Sequence, residues 1–313
     1  MPEIKKYKVT EPFLTPNCGL GEAPFWETDT NTLRFVDILK KRLHTVDLNV
    51  GASSHKSREL PISIGTTADI EGNPDEFVFG GKLGYGIMNK KSGEWRWIKT
   101  MWTEAEAKAG KEDNLRSNDG AVDIKGRYWV GTMNDPPVKS PSDEGVVFRL
   151  DPDLSLHRPI TPVTIPNGIS WSLDNKTMYF TDSPSTTIST YPYDPESGEI
   201  DLSGKGTFFK CPIEGGVPDG HAQDEEGYFW IALFGTGKVV RANKQGEVVA
   251  EIELPTRCVS CPGFAGEYLY ITSAAEEDPE KYLDSAKLQG AVFRVDVGVR
   301  GCPLNKFRMD NKS

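Results

Sequence analysis

Along this chain a short run of aromatic and aliphatic residues is followed, six times over, by a gap and a second run that ends near Asp, Asn or a glycine turn. The units are NTLRFVDILKKRLHTVDL, DEFVFGGKLGYGIMNKKSGE, GRYWVGTM with GVVFRLDPD, KTMYFTDSPSTTISTYPYDPESGE, GYFWIALFGTGKVVRANKQGE, and EYLYITSA with GAVFRVDV. Their first-strand markers Phe35, Phe77, Trp129, Tyr179, Trp230 and Leu269 are 42, 52, 50, 51 and 39 residues apart. A period of that length, with room for about four short strands, is the length of a propeller blade. One twisted four-stranded sheet cannot cover both of its apolar faces, whereas six set radially bury each against two neighbours and leave short edges. A doubly wound α/β fold would need a crossover helix after most strands. Only TEAEAKAG (Thr103 to Gly110) and EEDPEKYLDSAK (Glu276 to Lys287) read as helical. An immunoglobulin-like sandwich would leave six matched units unexplained. The expected fold is all-β, one six-bladed β-propeller domain over 1–313 with four-stranded antiparallel blades, residues 1–15 supplying a strand that closes the ring against the last blade.

Charge and cysteine content limit the partners. Lys and Arg number 36 against 46 Asp and Glu, a net charge of -10. That balance disfavours wrapping nucleic acid or an anionic membrane. The N-terminal MPEIKKYKVTEPFL lacks an apolar run of signal-peptide length, and no window reaches the apolar length of a membrane span. The expectation is a cytoplasmic protein, monomer or homodimer, with neither nucleic-acid nor membrane partners. Five cysteines, Cys18, Cys211, Cys258, Cys261 and Cys302, are too few and too scattered to staple the chain. The single CxxC of Cys258 and Cys261 lacks a second ligand pair and reads as buried or incidental thiols.

Counting back from the markers aligns a set of oxygen-bearing residues. Asn118 lies 11 residues before Trp129, Asn167 12 before Tyr179, Asp219 11 before Trp230 and Glu22 13 before Phe35, with the matching positions near Thr66 and Cys258. Equivalent positions on blades have equivalent radii, so four of six units would bring an oxygen to the axis. Two carboxylates and two amide oxygens suit one hard divalent cation: Ca2+ or Zn2+ first, Mg2+ or Mn2+ as alternatives. Asn-Gly and Asp-Gly are also ordinary turn signals, and the matched offsets are what favour a site over turns. Competing chemistry is thin. GxSxG, HExxH and GxxxxGK[ST] are missing, and four histidines make a histidine-rich zinc site a poor fit. His221 directly follows Pro218-Asp219-Gly220, which brings it into question as a neighbour of the site.

GEAPFW around Glu22, RSNDGAVDIKGRYWVGTM, IPNGISWSLDNKTMYFTDS and VPDGHAQDEEGYFW stand in the order found in the gluconolactonase and regucalcin family, also called the senescence marker protein family. The chain resembles that family over about 280 residues, Gly19 to Val297. The resemblance implies a six-bladed propeller with one divalent metal held by Glu22, Asn167 and Asp219, with Asn118 touching either the metal or only the substrate. It also places Arg116 and Asn118 at the substrate. The chain departs from the family at His221, at Asn134-Asp135-Pro136-Pro137 after GTM and in a longer loop after Met101, around the mouth of the channel.

The activity so implied is hydrolysis of a sugar-acid (aldono-) lactone to the open acid. The metal would act as Lewis acid, and Asp219 or a metal-activated water would provide the nucleophile. Arg116 would grip a substrate oxygen, Asn118 would hold a hydroxyl, and Asp119 would either take a hydroxyl or tie down its turn. Trp26, Met133 and Phe234 are candidate apolar walls, and His221 a candidate substrate neighbour. Two other readings stand beside this one: an esterase or phosphotriesterase-like hydrolase, with a more apolar pocket, and a non-catalytic metal-binding scaffold.

Overall fold

A computed structural model describes residues 4–310. The repeats fold as six sheets, each an up-and-down meander in chain order. The first comprises Gly21–Glu27, Thr32–Asp37, Arg42–Asp47 and Lys56–Glu59, and the second Ile64–Ile70, Asn73–Gly81, Gly84–Asn89 and Trp95–Thr100. The third runs through Leu115–Val122, Tyr128–Asn134, Gly145–Leu150 and Leu156–Val163, and the fourth through Pro166–Trp171, Thr177–Asp182, Thr187–Pro192 and Gly206–Lys210. Val217–Gln223, Phe229–Phe234, Lys238–Ala242 and Val248–Glu253 form the fifth; Val259–Ala265, Tyr268–Ser273 and Phe293–Val295 form the sixth. This is the expected six-bladed β-propeller fold, with antiparallel pairing inside every blade. The last sheet has three strands, and the fifth gains a fifth strand, Lys5–Lys8, laid parallel to its outer edge.

That added strand, expected to close the ring against the last blade, instead takes the open outer edge of the fifth sheet. Lys5–Lys8 pairs with Ala250–Glu253 of the fifth sheet, and Tyr7 donates its hydroxyl to the carbonyl of Val297. Leu14 makes one antiparallel bridge to Val292, beside the sixth sheet's outer strand. Residues 1–3 of this stretch, and 311–313 at the other end, lie outside the described residues.

Burial follows strand position. The second strand of a blade is covered on both faces, so it is apolar throughout: YWVGTMN in the third sheet is buried at every residue, while the outer strand WRWIKT of the second is buried at none. By contact density the chain forms two compact units, one of Met1–Pro61, Ser185–Ser189 and Thr207–Pro303, the other of Ile62–Pro184, Thr190–Gly206 and Leu304–Ser313. In the first, Trp230, Val239, Ile252, Leu269, Ile271 and Phe293 join the fifth and sixth sheets, and Leu33, Phe35, Tyr270 and Val292 join the sixth and first. In the second, Trp129, Val147, Ile169, Trp171 and Phe180 join the third and fourth. Truncating one of the buried tryptophans would cost about 3–5 kcal/mol.

The recurring DxxGxxW stretch has a local cause. In DIKGRYW, Gly126 takes φ +81°, which lets the chain reverse between the first two strands. Asp123 then accepts from the amides of Lys125 and Arg127 and from Trp129 Nε1 at 3.0 Å. In DEEGYFW, Gly227 has φ +78°, and Asp224 accepts from the amides of Glu226 and Tyr228 and from Trp230 Nε1 at 3.1 Å. Each buried aspartate therefore fixes a turn and aims the tryptophan that fills the gap to the next sheet.

Helix is confined to connections. Glu104–Lys108 starts from a capping box between Thr103 and Glu106, as TEAEAKAG predicts, and Leu283–Lys287 lies inside EEDPEKYLDSAK. Among the described residues no helix is long and apolar enough to cross a membrane.

Candidate functional site

The innermost strand of every sheet slips register against its neighbour near its start, and that of the second sheet slips again between Asp69 and Ile70. The slips fall between Glu22 and Phe25, Ile64 and Thr66, Ser117 and Gly120, Asn167 and Ile169, Pro218 and His221, and Val259 and Pro262. Such bulges leave residues unpaired by the ladder and re-aim their side chains. Glu22 and Asn167 are the last paired residues before their slips, and Asn118 and Asp219 the first inside theirs. In the remaining sheets the slips hold Gly65 and Ser260-Cys261, so the expected match near Cys258 moves two residues along the chain.

In the second compact unit the slips of the third and fourth sheets meet in one buried polar chain. Arg116 Nη1 donates to Asn118 Oδ1 at 2.7 Å and to the carbonyl of Ser117 at 2.9 Å. Asn118 Nδ2 donates to the Pro166 carbonyl at 2.8 Å and to Asn167 Oδ1 at 2.9 Å. Asn167 Nδ2 donates to Ser183 Oγ at 2.8 Å. A guanidinium only donates, so Asn118 must turn its oxygen to Arg116 and its amide to Asn167. With its nitrogen on Ser183, Asn167 in turn has its oxygen left to accept.

Sequence reasoning did not find the groups that hold this chain in place. Asp135 Oδ1 lies 3.7 Å from Arg116 Nε, and Lys82 Nζ lies 3.2 Å from Asp135 Oδ2. Asp135 directly follows the second strand of its sheet, whose antiparallel pairing sets Met133 opposite Arg116 and Asn134 opposite Leu115. Gly65 is required by the close approach of the second sheet: a Cβ there would stand 2.2 Å from the Asn118 carbonyl oxygen.

The other candidates of this unit divide. Met133 is buried directly across the ladder from Arg116. Asp119 lies in the bulge and accepts from the Gly120 amide at 2.6 Å, and burial pushes its carboxyl up to about 6.

In the first compact unit, Glu22 and Asp219 are 5% and 7% exposed, and their strands flank the innermost strand of the sixth sheet. Ser260 on that strand donates to the Gly21 carbonyl at 2.5 Å, and Gly220 packs so closely on Cys261 that a Cβ would meet its sulfur at 2.5 Å. His221 lies edge-on to Phe229 at 5.3 Å, and burial pushes its imidazole down to about 4, which leaves it neutral near pH 7. Phe234 ends its strand across from Val217, two residues from Asp219. Trp26 is at the turn end of its strand, its Nε1 donating to Asn31 at 3.0 Å and its ring packed on the cluster of Leu33 and Phe35. The five cysteines are free thiols, with Cys258 and Cys261 buried.

In the first compact unit the buried carboxylates of Glu22 and Asp219 are of the donor type that suits a hard divalent cation, and in the second Asn167 has an amide oxygen oriented by Ser183. The family model for the SMP-30/Gluconolactonase/LRE-like region matches residues 20–275, and the chain belongs to this family of β-propellers. It is 32% identical over 306 residues to the pentonolactonase XacC of Haloferax volcanii, covering 94% of this chain and 96% of the relative. Regucalcin of Gallus gallus is 29% identical over 295 residues, covering 92% and 94%. Among solved structures, the calcium-binding protein regucalcin of Agrobacterium tumefaciens superposes with a TM-score of 0.86 at 24% identity, over 97% of this chain and 99% of that one.

Proposed function

We propose that this protein is a hydrolase that opens the ring ester of a sugar-acid lactone with the help of one divalent cation. The relative named a pentonolactonase, matched over almost its whole length, supports the reaction class. The observation that carries the reading is the buried chain Arg116–Asn118–Asn167–Ser183, since hydrogen-bonding groups so held at strand bulges fit the recognition of a polyol. Glu22, Asn167 and Asp219 are the proposed ligands. Asn118 turns its amide nitrogen to Asn167, which favours a role in orienting that ligand and holding a substrate hydroxyl over direct ligation.

When bound, the cation supplies a Lewis acid for the lactone carbonyl and for the charge that develops on its oxygen. Asp219 is the proposed general base, taking the proton of the attacking water. Arg116, fixed by Asp135, presents donors to a substrate oxygen, and the charge on its partner limits the rotamers it can adopt. Met133, beside Arg116, and Phe234, near Asp219, supply apolar cover, while neutral His221 adds a polar edge.

The reading is tested by assaying chelated protein against a panel of aldonolactones, esters and phosphotriesters, with each divalent ion added back. Restored turnover on an aldonolactone is the expected result. Turnover confined to simple esters or phosphotriesters, or none on any substrate with any ion, would refute it.

A further inference from the structure

Outside the proposed site, one cluster in the first sheet gathers three different metal-ligating groups. The sulfur of Cys18, a carboxylate oxygen of Asp37 and an imidazole nitrogen of His44 all lie within 4.8 Å of one another. Cys18 Sγ is 4.0 Å from His44 Nε2, and the three residues are 1%, 1% and 2% exposed. We propose that Cys18, Asp37 and His44 form a second metal site, for a borderline-soft divalent ion such as zinc, chemically separate from the all-oxygen donor set of the lactone site.

The backbone brings the three together. Asp37 ends the second strand, where its Cα pairs with Gly21, and His44 lies on the third strand opposite Phe35. Cys18 approaches just ahead of the first strand, held by its amide to the Gly290 carbonyl. Each ligand is also oriented from behind. His44 Nδ1 is 2.9 Å from His55 Nε2, and its ring stacks on Phe35 at 4.7 Å with an interplanar angle of 6°. With the proton on Nδ1 donated to His55, Nε2 keeps a lone pair toward Cys18, the outer-shell arrangement that fixes the tautomer of metal-binding histidines. Asp37 accepts three backbone amides, Gly19 on Oδ2 at 2.8 Å, and Leu20 and Lys40 on Oδ1 at 3.1 and 3.0 Å. A carboxylate has about four acceptor positions, and the Cys18 thiol hydrogen-bonds to this one, so a bound dication would take the place of the thiol proton.

Distances and charge agree with such an ion. Zinc bonds of about 2.3 Å to sulfur and about 2.0 Å to nitrogen, set tetrahedrally, separate the two donors by about 3.6 Å. The separation of Cys18 and His44 needs only a few tenths of an ångström of closure. Burial, then the charge of Asp37, pushes the Cys18 thiol up, and burial pushes His44 down to about 4. Without metal the thiol therefore keeps its proton and the imidazole is neutral. A dication replaces that proton, and thiolate plus carboxylate cancel its charge. Three protein ligands leave one position for a water, and the site clips the chain ahead of the first strand to the second and third.

Cobalt(II) added to the chelated full-length protein tests this directly, because an oxygen-only site gives no thiolate-to-cobalt charge transfer. The expected result is a near-ultraviolet charge-transfer band of one thiolate per protein, complete once this site and the oxygen site are both filled at two equivalents, unchanged in Cys258→Ser and Cys261→Ser and lost in Cys18→Ser. X-ray absorption at the zinc edge of the wild-type protein loaded with two equivalents of zinc needs no variant, and should show a sulfur scatterer at about 2.3 Å. Absence of the band, its survival in Cys18→Ser, or a zinc shell of only nitrogen and oxygen would overturn the proposal and leave a cluster of hydrogen bonds.

Discussion

The bulges of the fifth and sixth sheets are built alike and used differently. In both, the innermost strand skips register across two residues, Asp219-Gly220 in one and Ser260-Cys261 in the other. Ser260 spends its hydroxyl inside the protein, on the Gly21 carbonyl and on Thr272 Oγ1 at 3.0 Å, and so ties two sheets together. Asp219 brings a buried carboxylate to the same kind of position. The backbone device belongs to the fold; the side chain placed in it sets what the bulge offers, a tie between sheets in one and a buried carboxylate in the other. The same contrast recurs in the second compact unit, where Gly65 has no side chain to offer while Asn118 and Asn167 join in a polar chain.

Substitution should separate the two uses. The largest effect is expected for Asp219→Asn, which should lower kcat for the lactone by about 10³-fold while the unfolding midpoint stays near that of the wild type. Ser260→Ala should do the reverse, leaving kcat within about twofold and costing about 1–2 kcal/mol in denaturant unfolding. Full activity in Asp219→Asn, or a lost activity in Ser260→Ala, would erase the distinction. Gly65→Ala comes next. Its Cβ would collide with the Asn118 carbonyl, and backbone must shift, so a loss of about 3 kcal/mol is expected in the same measurement.

Asp135→Asn keeps the size of the side chain and removes the charge facing Arg116. A rise in KM of about tenfold with kcat little changed is expected if Arg116 serves substrate binding, and rescue by Asp135→Glu would show that charge is what matters. The smallest effect concerns the helix Glu104–Lys108. Its Glu106 binds Arg158, which together with the Thr103 cap holds the carboxyl down at about 2. A lowered folded value contributes stability above the ordinary carboxylate range near 4.5 that is lost as pH falls through about 2. Glu106→Gln should therefore lower stability at pH 7 by no more than about 1 kcal/mol and leave stability at pH 2 unchanged.

The sequence made the blades legible because turn, aspartate and tryptophan recur together in DIKGRYW and DEEGYFW, and each trio is one structural unit. The offsets back from the markers also reached the bulges, since a fixed spacing along a hairpin is a fixed place on the first strand. They missed Ser260 by two residues because the sixth sheet has no Asn-Gly or Asp-Gly at its slip. Asp135, Lys82 and Ser183 were not legible at all. Asp135 and Ser183 each directly follow the second strand of a hairpin, beside the start of its first strand, and Lys82 reaches Asp135 from the second sheet, so their roles appear only once the pairing is known. The same holds for Cys18, Asp37 and His44, whose separations match no ligand motif and which only strand pairing unites. The N-terminal strand was foreseen as a strand, and its place on the fifth sheet depends on that sheet's open outer edge.

The central claim is that oxygen donors from the bulges of separate blades hold one hard cation. Calorimetric titration of the chelated protein with Ca2+ tests it most directly, because calcium avoids a thiolate site. The account predicts one equivalent bound by the wild type, with affinity reduced at least about 100-fold in each of Glu22→Gln, Asn167→Ala and Asp219→Asn. Wild-type protein that binds no Ca2+, or three variants that bind it as the wild type does, would contradict it.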